Sequence, residues 1–223
     1  MSIFITFEGI EGSGKSTQIS LLADHLSEQK IPFISTREPG GSDIGKKVRK
    51  LLLSTENTEI TSRTELLLYA ADRAQHVEQV IQPALARGKV VLCDRFSDAT
   101  IAYQGYARGL ELELIHSLNS LATGGIKPDL TFLIDCPVET GIGRALKRGE
   151  AEGSDEMRFE KEALSFHAKV LEGYKQIAQN EPERISVIDG SMPIGAIHNS
   201  IIELFSKRYA RATSSRECCK IEL

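Results

Sequence analysis

The sequence lacks the features of secreted, membrane-spanning and nucleic-acid-binding proteins. No apolar run approaches the ~20 residues that a membrane-spanning helix needs. Residues 1–7 lack the basic start and the cleavage pattern of a secretion signal. We therefore expect a soluble, cytoplasmic protein without a membrane partner. The formal net charge of −4 disfavours a nucleic-acid polymer as partner, because such binding normally needs a basic surface.

Cysteine and histidine are few, and their spacing fits neither a disulfide framework nor a zinc site. Cys93 and Cys136 lie in or beside predicted strands, so we expect them to be small buried apolar side chains. The adjacent pair Cys218 and Cys219 lies in a polar tail, residues 211–223, that we expect to be loosely ordered. We assign this pair no function.

No linker rich in proline, glycine or serine divides the chain, so the 223 residues predict one domain over residues 1–210. Apolar runs recur along the chain and alternate with segments of helical periodicity. This alternation predicts an α/β fold with a five-stranded parallel sheet flanked by helices. The runs that predict strands are Ile3–Phe7, Phe33–Ser35, Val90–Cys93, Leu130–Ile134 and Ile185–Ile188.

A small, acidic and glycine-containing stretch, Gly149–Glu156, stands between two predicted helices, Glu139–Lys147 and Arg158–Gln179. Both helices are rich in basic residues. We predict that the stretch is a mobile loop, within a short lid at about residues 148–158.

The strongest motif is a phosphate-binding loop. Residues 9–16 match G-x-x-x-x-G-K-[ST], directly after a predicted strand and at the start of a predicted helix. Backbone N–H groups of such a loop and the positive end of the helix cradle phosphate oxygens. Lys15 is expected to bridge the β- and γ-phosphates of ATP, and the Ser16 hydroxyl to bind Mg²⁺. The predicted ATP-binding residues are Gly9, Ile10, Glu11, Gly12, Ser13, Gly14, Lys15, Ser16 and Thr17.

A phosphate-binding loop does not by itself separate kinases from GTPases, motor ATPases or passive nucleotide sensors. The N-K-x-D motif of GTPases is absent, and a typical motor ATPase would be larger and would carry oligomer-facing arginine motifs. Asp94 and Arg95 follow the third predicted strand, at the sheet edge where α/β folds bind ligands. Asp94 is suited to order Mg²⁺ through water, and Arg95 to grip an acceptor phosphate, with a structural salt bridge as the alternative.

The order of the motifs resembles that of bacterial thymidylate kinases. The motifs are Phe7-Glu8-Gly9, Arg37–Gly41, Leu67–Arg73, Asp94-Arg95, Ala102–Gly105, Lys127-Pro128-Asp129, Arg148-Gly149-Glu150 and Arg158-Phe159-Glu160. The resemblance implies a P-loop nucleoside monophosphate kinase fold and direct in-line transfer from ATP to dTMP, with Mg²⁺ as cofactor, giving dTDP. It also suggests a homodimer packed through helices, although an apolar helix face such as that of residues 64–87 is equally consistent with internal core.

The resemblance further implies the residues that bind dTMP: Glu38, Arg49, Tyr69, Arg73, Arg95, Thr100, Tyr103 and Gln104. Tyr69 would stack on thymine, with a core position as the alternative, and Arg73 would bond an exocyclic oxygen of the base. Tyr103 would crowd the 2′ position and so select deoxyribose. Arg49 and Arg95 would clamp the monophosphate.

Catalytic cations in this family come from an arginine in the phosphate-binding loop or from arginines in a lid. Gly12 stands at the loop position, so the resemblance implies the lid, whose candidates are Arg144, Lys147, Arg148 and Arg158. A solvated helix face is the alternative for these side chains. We expect Lys15, Arg95 and Arg148 to be the catalytic residues, and Ser16 and Asp94 to hold the metal. The rival functions are a small kinase with another acceptor, such as dUMP, and a nucleotide sensor without catalysis.

Overall fold

The structure is a computed structural model that describes residues 2–218, with side chains through residue 210. Its parallel sheet has the strand order β2-β3-β1-β4-β5. The predicted α/β fold with a five-stranded parallel sheet is confirmed. Each strand ends one or two residues beyond its predicted apolar run. The strands are β1 (Ile3–Glu8), β2 (Phe33–Arg37), β3 (Val90–Asp94), β4 (Leu130–Asp135) and β5 (Ile185–Asp189).

Helices cover both faces of the sheet, which explains why the runs of the three inner strands, β1, β3 and β4, are buried and mostly apolar. In β1, Ile5 and Phe7 pack in the cluster that includes side chains of the first and last helices, whereas Phe4 packs on the opposite face with Val91 and Phe96. The helices are α1 (Lys15–Glu28), α2 (Asp43–Leu53), α3 (Ser62–His76), α4 (Gln82–Ala86), α5 (Ser97–Thr100), α6 (Leu112–Thr123), α7 (Val138–Glu152), α8 (Leu164–Asn180) and α9 (Ile194–Cys218).

Two helical regions contain wider π-helical turns. Val77–Ile81 joins α3 to α4, just before Pro83, whose missing N–H cannot complete a regular helical ladder. Ile101–Ala107 continues α5, and this helical segment was not predicted from the sequence. It carries part of the cavity wall described below.

The predicted loop at Gly149–Glu156 is wrong over its first half. Helix α7 continues through Glu152 and ends at Gly153, which has a φ of 58°. Gly149 lies inside the helix and packs closely against Met157. A Cβ at Gly149 would lie 2.4 Å from the Met157 sulfur. Helix α8 begins at Leu164, and not at Arg158 as predicted. The predicted lid region, residues 148–158, is therefore the end of α7 followed by a compact turn.

The last helix also extends further than the sequence suggests. We expected loose order after residue 210, but α9 runs to Cys218, while Cys219 and the rest of the expected tail lie outside the described residues. Cys93 and Cys136 are buried free thiols, as expected. Within residues 2–218, no helix is both long enough and apolar enough to cross a membrane.

The phosphate-binding loop packs directly against α7 through two glycines. A Cβ on Gly12 would lie 2.0 Å from the carbonyl oxygen of Gly141, and a Cβ on Gly141 would lie 2.6 Å from that of Glu11. Gly12 also has a φ of 67°, a backbone angle that residues other than glycine rarely adopt. No side chain, and hence no arginine, fits at position 12 unless α7 moves away.

Gly141→Ala tests this contact, and Gly143→Ala on the same helix is its control. We expect Gly141→Ala to lower the free energy of unfolding by about 1–3 kcal/mol, because the added methyl group overlaps the loop backbone. Apart from the chain neighbours and the nearby backbone of α7, no described atom lies within 4 Å of a Cβ at Gly143, so Gly143→Ala should be neutral or stabilising by up to about 1 kcal/mol. Chemical denaturation measures both, and equal effects would contradict the close contact.

Candidate active site

A cavity of about 500 Å³ opens at the carboxyl edge of the sheet, between the phosphate-binding loop, the ends of β2 and β3, and α7. This volume is typical of a small-molecule site. The structure brings all the predicted site residues to its wall except Gly9 and Ile10. Those that line it are Glu11, Gly12, Ser13, Gly14, Lys15, Ser16, Thr17, Glu38, Arg49, Tyr69, Arg73, Asp94, Arg95, Thr100, Tyr103, Gln104 and Arg148.

Lys15 begins α1 and lies within the loop that precedes it. Its Nζ donates to the carbonyl oxygens of Gly9, at 3.0 Å, and Ile10, at 2.8 Å. Burial lowers the pKa of Lys15 to about 8, and the positive charge of Arg95 acts in the same direction. An anionic ligand beside this amine would favour its charged form, so the loop is suited to a polyphosphate.

Ser16 and Asp94 meet at the base of the cavity. The Ser16 hydroxyl donates to Oδ2 of Asp94 over 3.0 Å. Asp94 ends β3, and its strand partners are Phe7 on one side and Arg37 on the other. A hydroxyl and a carboxylate oxygen suit Mg²⁺, which usually takes its other ligands from phosphates and water. Among the described residues no group of three or more histidine, cysteine, aspartate or glutamate side chains could hold a metal ion.

Arg95 follows Asp94 with a φ of 67°, an unusual value for a residue other than glycine. One terminal nitrogen donates to the Gly9 carbonyl, at 2.8 Å, and to the Tyr174 hydroxyl, at 3.0 Å. The other donates to Glu11 over 2.9 Å, and the guanidinium lies 4.9 Å from the centre of the Tyr103 ring. These contacts fix Arg95 in the middle of the cavity wall.

Glu11 is a mostly buried carboxylate, with a side chain 10% exposed, and several donors surround it. It accepts from Arg95 and from the Tyr103 hydroxyl, at 2.5 Å, while Nδ1 of His167 lies 3.3 Å away. Burial alone would favour the protonated form, but Arg95, His167 and Tyr103 together hold the pKa of Glu11 well below its ordinary value. Glu11 therefore keeps a negative charge beside Arg95.

Glu8, the last residue of β1, lies behind Arg95 and is buried. It accepts from the Phe96 amide and from the Tyr174 hydroxyl, each at 2.7 Å. Burial raises the pKa of Glu8 to about 8, and the negative charge of Asp98 adds to the effect. The Tyr174 hydroxyl thus connects Glu8 to Arg95.

The far end of the cavity combines aromatic rings with buried polar groups. The half-buried ring of Tyr69 lies 6.4 Å from that of Phe159. Arg73 is buried and donates to Glu38, Asn119 and the Phe96 carbonyl. Gln104 donates to Glu65, and the buried Thr100 hydroxyl has no hydrogen-bond partner among the described residues. An unpartnered buried hydroxyl on a cavity wall is suited to a ligand contact.

The arginines near the predicted lid differ in whether they form ion pairs. Arg49 pairs with Glu156 over 2.7 Å, and Arg158 turns away from the cavity to pair with Glu65. Arg144 and Arg148, on α7, line the cavity, and within the described residues neither has an ion pair. Two of the four predicted lid cations therefore face the phosphate-binding loop.

Several cavity residues were not assigned by sequence reasoning. Arg37 ends β2 beside Asp94, and the rule that ligands bind at strand ends would have identified it. Glu156, Phe159 and Glu160 reach the wall through the turn after α7, and Tyr174 reaches Arg95 from α8. Sequence spacing carries no signal for these contacts.

Known proteins resemble this chain both in sequence and in structure. A family profile described as "Thymidylate kinase" matches residues 7–201. A thymidylate kinase of Geotalea uraniireducens is 58% identical over 87% of this chain and 92% of its own length. One from Desulfovibrio desulfuricans is 50% identical over 94% and 99%. The crystal structure of thymidylate kinase from Ehrlichia chaffeensis superposes with a TM-score of 0.72 at 38% identity, over 92% of this chain and 98% of that one.

Glu8→Gln should change how stability depends on pH. The native pKa of Glu8, about 8, exceeds the ordinary value of 4.5, so the native state holds this proton more tightly than the unfolded chain does. The stabilising contribution of the neutral carboxyl is complete below about pH 4.5 and is lost as the pH rises through about 8. Glutamine cannot ionise and has no such dependence.

Urea unfolding of both proteins at pH 5.5 and pH 9 measures the effect. The free energy of unfolding of Glu8→Gln relative to wild type should increase with pH by more than about 1 kcal/mol, since one pKa unit corresponds to about 1.4 kcal/mol. If the two proteins differ in free energy of unfolding by the same amount at both pH values, burial does not raise the pKa of Glu8.

Proposed function

The chain belongs to the thymidylate kinase family, and from that premise we propose how its cavity phosphorylates dTMP to dTDP with ATP: by direct in-line transfer, with Lys15 and Arg95 between the two nucleotides. Family membership confirms the resemblance read from the motifs and the P-loop nucleoside monophosphate kinase fold. Direct transfer requires positioning and charge compensation, and no covalent intermediate.

On the donor side, we assign Gly9–Thr17 to the phosphates of ATP. The positive φ values of Gly9, Gly12 and Gly14 and the start of α1 at Lys15 support this assignment, because they turn backbone amides toward a common point. Ser16 and Asp94 would hold Mg²⁺, and their 3.0 Å contact supports a shared site. The ion would neutralise charge on the donor phosphates.

On the acceptor side, we assign Arg49 and Arg95 to the phosphate of dTMP, and Tyr69 with Arg73 to thymine. Tyr69 offers an aromatic face, and Arg73 offers donors for an exocyclic oxygen. Thr100, Tyr103 and Gln104 complete the wall around the deoxyribose and the base, and the unpartnered Thr100 hydroxyl supports this role. Glu38 accepts a hydrogen bond of 2.9 Å from Arg73 and so acts on the base indirectly, by holding the guanidinium.

For the catalytic charge, we assign Arg148 on α7. The contact between Gly12 and Gly141 supports this, because it leaves no space for a cationic side chain at position 12 of the loop. Arg148 lines the same cavity wall as Lys15 and, among the described residues, is not neutralised by an ion pair. A cation that approaches the transferring phosphoryl group stabilises the charge that spreads over its oxygens.

The observation that carries the proposal is one continuous cavity shared by the phosphate-binding loop and the acceptor residues. The test is ADP release from ATP and Mg²⁺ with dTMP, dUMP, CMP, AMP or GMP as acceptor. We expect the highest kcat/KM with dTMP and some turnover of dUMP, since one methyl group contributes only ~1–3 kcal/mol. A better acceptor than dTMP would overturn the base assignment, and the absence of dTMP-dependent turnover would favour a nucleotide sensor.

We further propose a cytoplasmic homodimer. Large apolar side chains are exposed on three helices that pack side by side: Leu51 on α2, Leu67 on α3, and Leu114 and Leu121 on α6. Leu121 is 80% exposed. Such a cluster on adjacent helices is suited to an interface with a second copy. Sedimentation equilibrium distinguishes a dimer from a monomer.

Arg148→Ala, compared with Lys147→Ala, tests the source of catalytic charge. We expect Arg148→Ala to lower kcat by about a hundredfold or more, with a smaller change in the KM for dTMP. Lys147 is exposed on the same helix and outside the cavity wall, so Lys147→Ala should leave kcat near the wild-type value. If Arg144→Ala shows the large loss and Arg148→Ala does not, the catalytic role belongs to Arg144.

A further inference from the structure

His76 lies behind the acceptor side of the cavity and has no role in the mechanism above. It is the last residue of α3 and is 0% exposed. Its Nδ1 lies 2.9 Å from Oε1 of Glu38, and its Nε2 lies 2.7 Å from Oγ1 of Thr36. The ring fits closely, because a Cβ on Gly41 would lie 2.2 Å from Nε2. Both ring nitrogens therefore have one specific partner each.

Glu38 connects His76 to Arg73. Its other oxygen, Oε2, accepts from Nε of Arg73 over 2.9 Å. A carboxylate can only accept hydrogen bonds, so Nδ1 of His76 must donate to it. The other ring nitrogen, Nε2, contacts Thr36. His76 and Arg73 thus hold one carboxylate oxygen each, and Glu38 can rotate only by losing one of these two bonds.

Three acceptors define the position of the Arg73 guanidinium. Besides Glu38, Arg73 donates to Oδ1 of Asn119, at 2.7 Å, and to the Phe96 carbonyl, at 3.0 Å. An arginine side chain has five N–H groups, so two remain for a ligand. Within the described residues, Glu38 is the one of these three acceptors that is held by a side chain outside the cavity wall, namely His76.

We propose that His76 is a positioning residue for recognition of the acceptor base: it holds Glu38 so that the two remaining N–H groups of Arg73 point at a base carrying an exocyclic oxygen. This inference depends on the proposed contact between Arg73 and thymine. Both Glu38 and Arg73 line the cavity, whereas His76 acts on the ligand only through them. The proposal assigns base specificity to a residue two contacts away from the base.

Two substitutions separate the two nitrogens of the ring. In His76→Asn the amide nitrogen takes the place of Nδ1, so the donor to Glu38 is kept and the contact with Thr36 is lost. In His76→Gln the amide takes the place of Nε2, and the donor to Glu38 is lost. Thr36→Val removes the Thr36 hydroxyl alone and is the matched control for His76→Asn.

The experiment measures KM for dTMP and for ATP, the ratio of kcat/KM for dTMP over dCMP, and the melting temperature of each variant. We expect His76→Gln to raise the KM for dTMP about tenfold, with the KM for ATP unchanged. Its preference for dTMP over dCMP should fall, because dCMP has an amino group where thymine has the oxygen. His76→Asn and Thr36→Val should keep the KM for dTMP within about threefold of wild type.

Arg73→Lys provides the reference for the proposed base contact. If Arg73→Lys leaves the KM for dTMP unchanged, the contact between Arg73 and thymine is wrong. If Arg73→Lys raises it and His76→Gln does not, the positioning role is wrong and His76 serves stability alone. Should His76→Gln fail to fold, His76→Asn decides: a KM for dTMP raised as far as in Arg73→Lys would overturn the proposal.

Discussion

The close contact between Gly12 and Gly141 determines where positive charge can lie around the transferred phosphate. With the loop backbone against the backbone of α7, no side chain can leave the loop at position 12. The same contact fixes the start of α7 beside the loop. Arg144 and Arg148 follow Gly141 by about one and two helical turns and reach the cavity wall. In the proposed mechanism, the loop with Lys15 therefore forms the phosphate cradle, and α7 brings the additional cations.

The pairing of charges divides the cavity into two parts. Each of the three arginines assigned to the acceptor has a carboxylate partner: Glu11 for Arg95, Glu156 for Arg49 and Glu38 for Arg73. These pairs hold the guanidinium groups in fixed orientations, which favours recognition of one acceptor geometry. On the lid side, within the described residues, Arg144 and Arg148 carry no such partner. Fixed cations are suited to binding, and uncompensated cations are suited to charge that appears only during transfer.

The fold and the phosphate-binding side of the cavity could be predicted from the sequence, because both follow from local rules, whereas the acceptor residues were predicted through the resemblance to thymidylate kinases. Buried parallel strands need continuous apolar runs, and their carboxyl ends meet at one edge, so Asp94 and Arg95 were expected beside the loop. The extent of α7 could not be predicted, since Gly149 normally weakens a helix, and only its packing against Met157 explains why the helix continues. The same limit applies to Glu156 and Tyr174, which reach arginines distant in sequence, and to the partner of Arg158, which is Glu65.

The central claim is that a helix next to the phosphate-binding loop provides the catalytic cation. A crystal structure of the protein with dTMP and a non-hydrolysable ATP analogue tests it most directly. We expect the Arg148 guanidinium to lie within about 3 Å of an oxygen of the γ-phosphate, the range of charge-assisted hydrogen bonds, with Gly12 still against Gly141. A complex in which Arg148 points to solvent and no cation of α7 contacts the γ-phosphate would contradict the account.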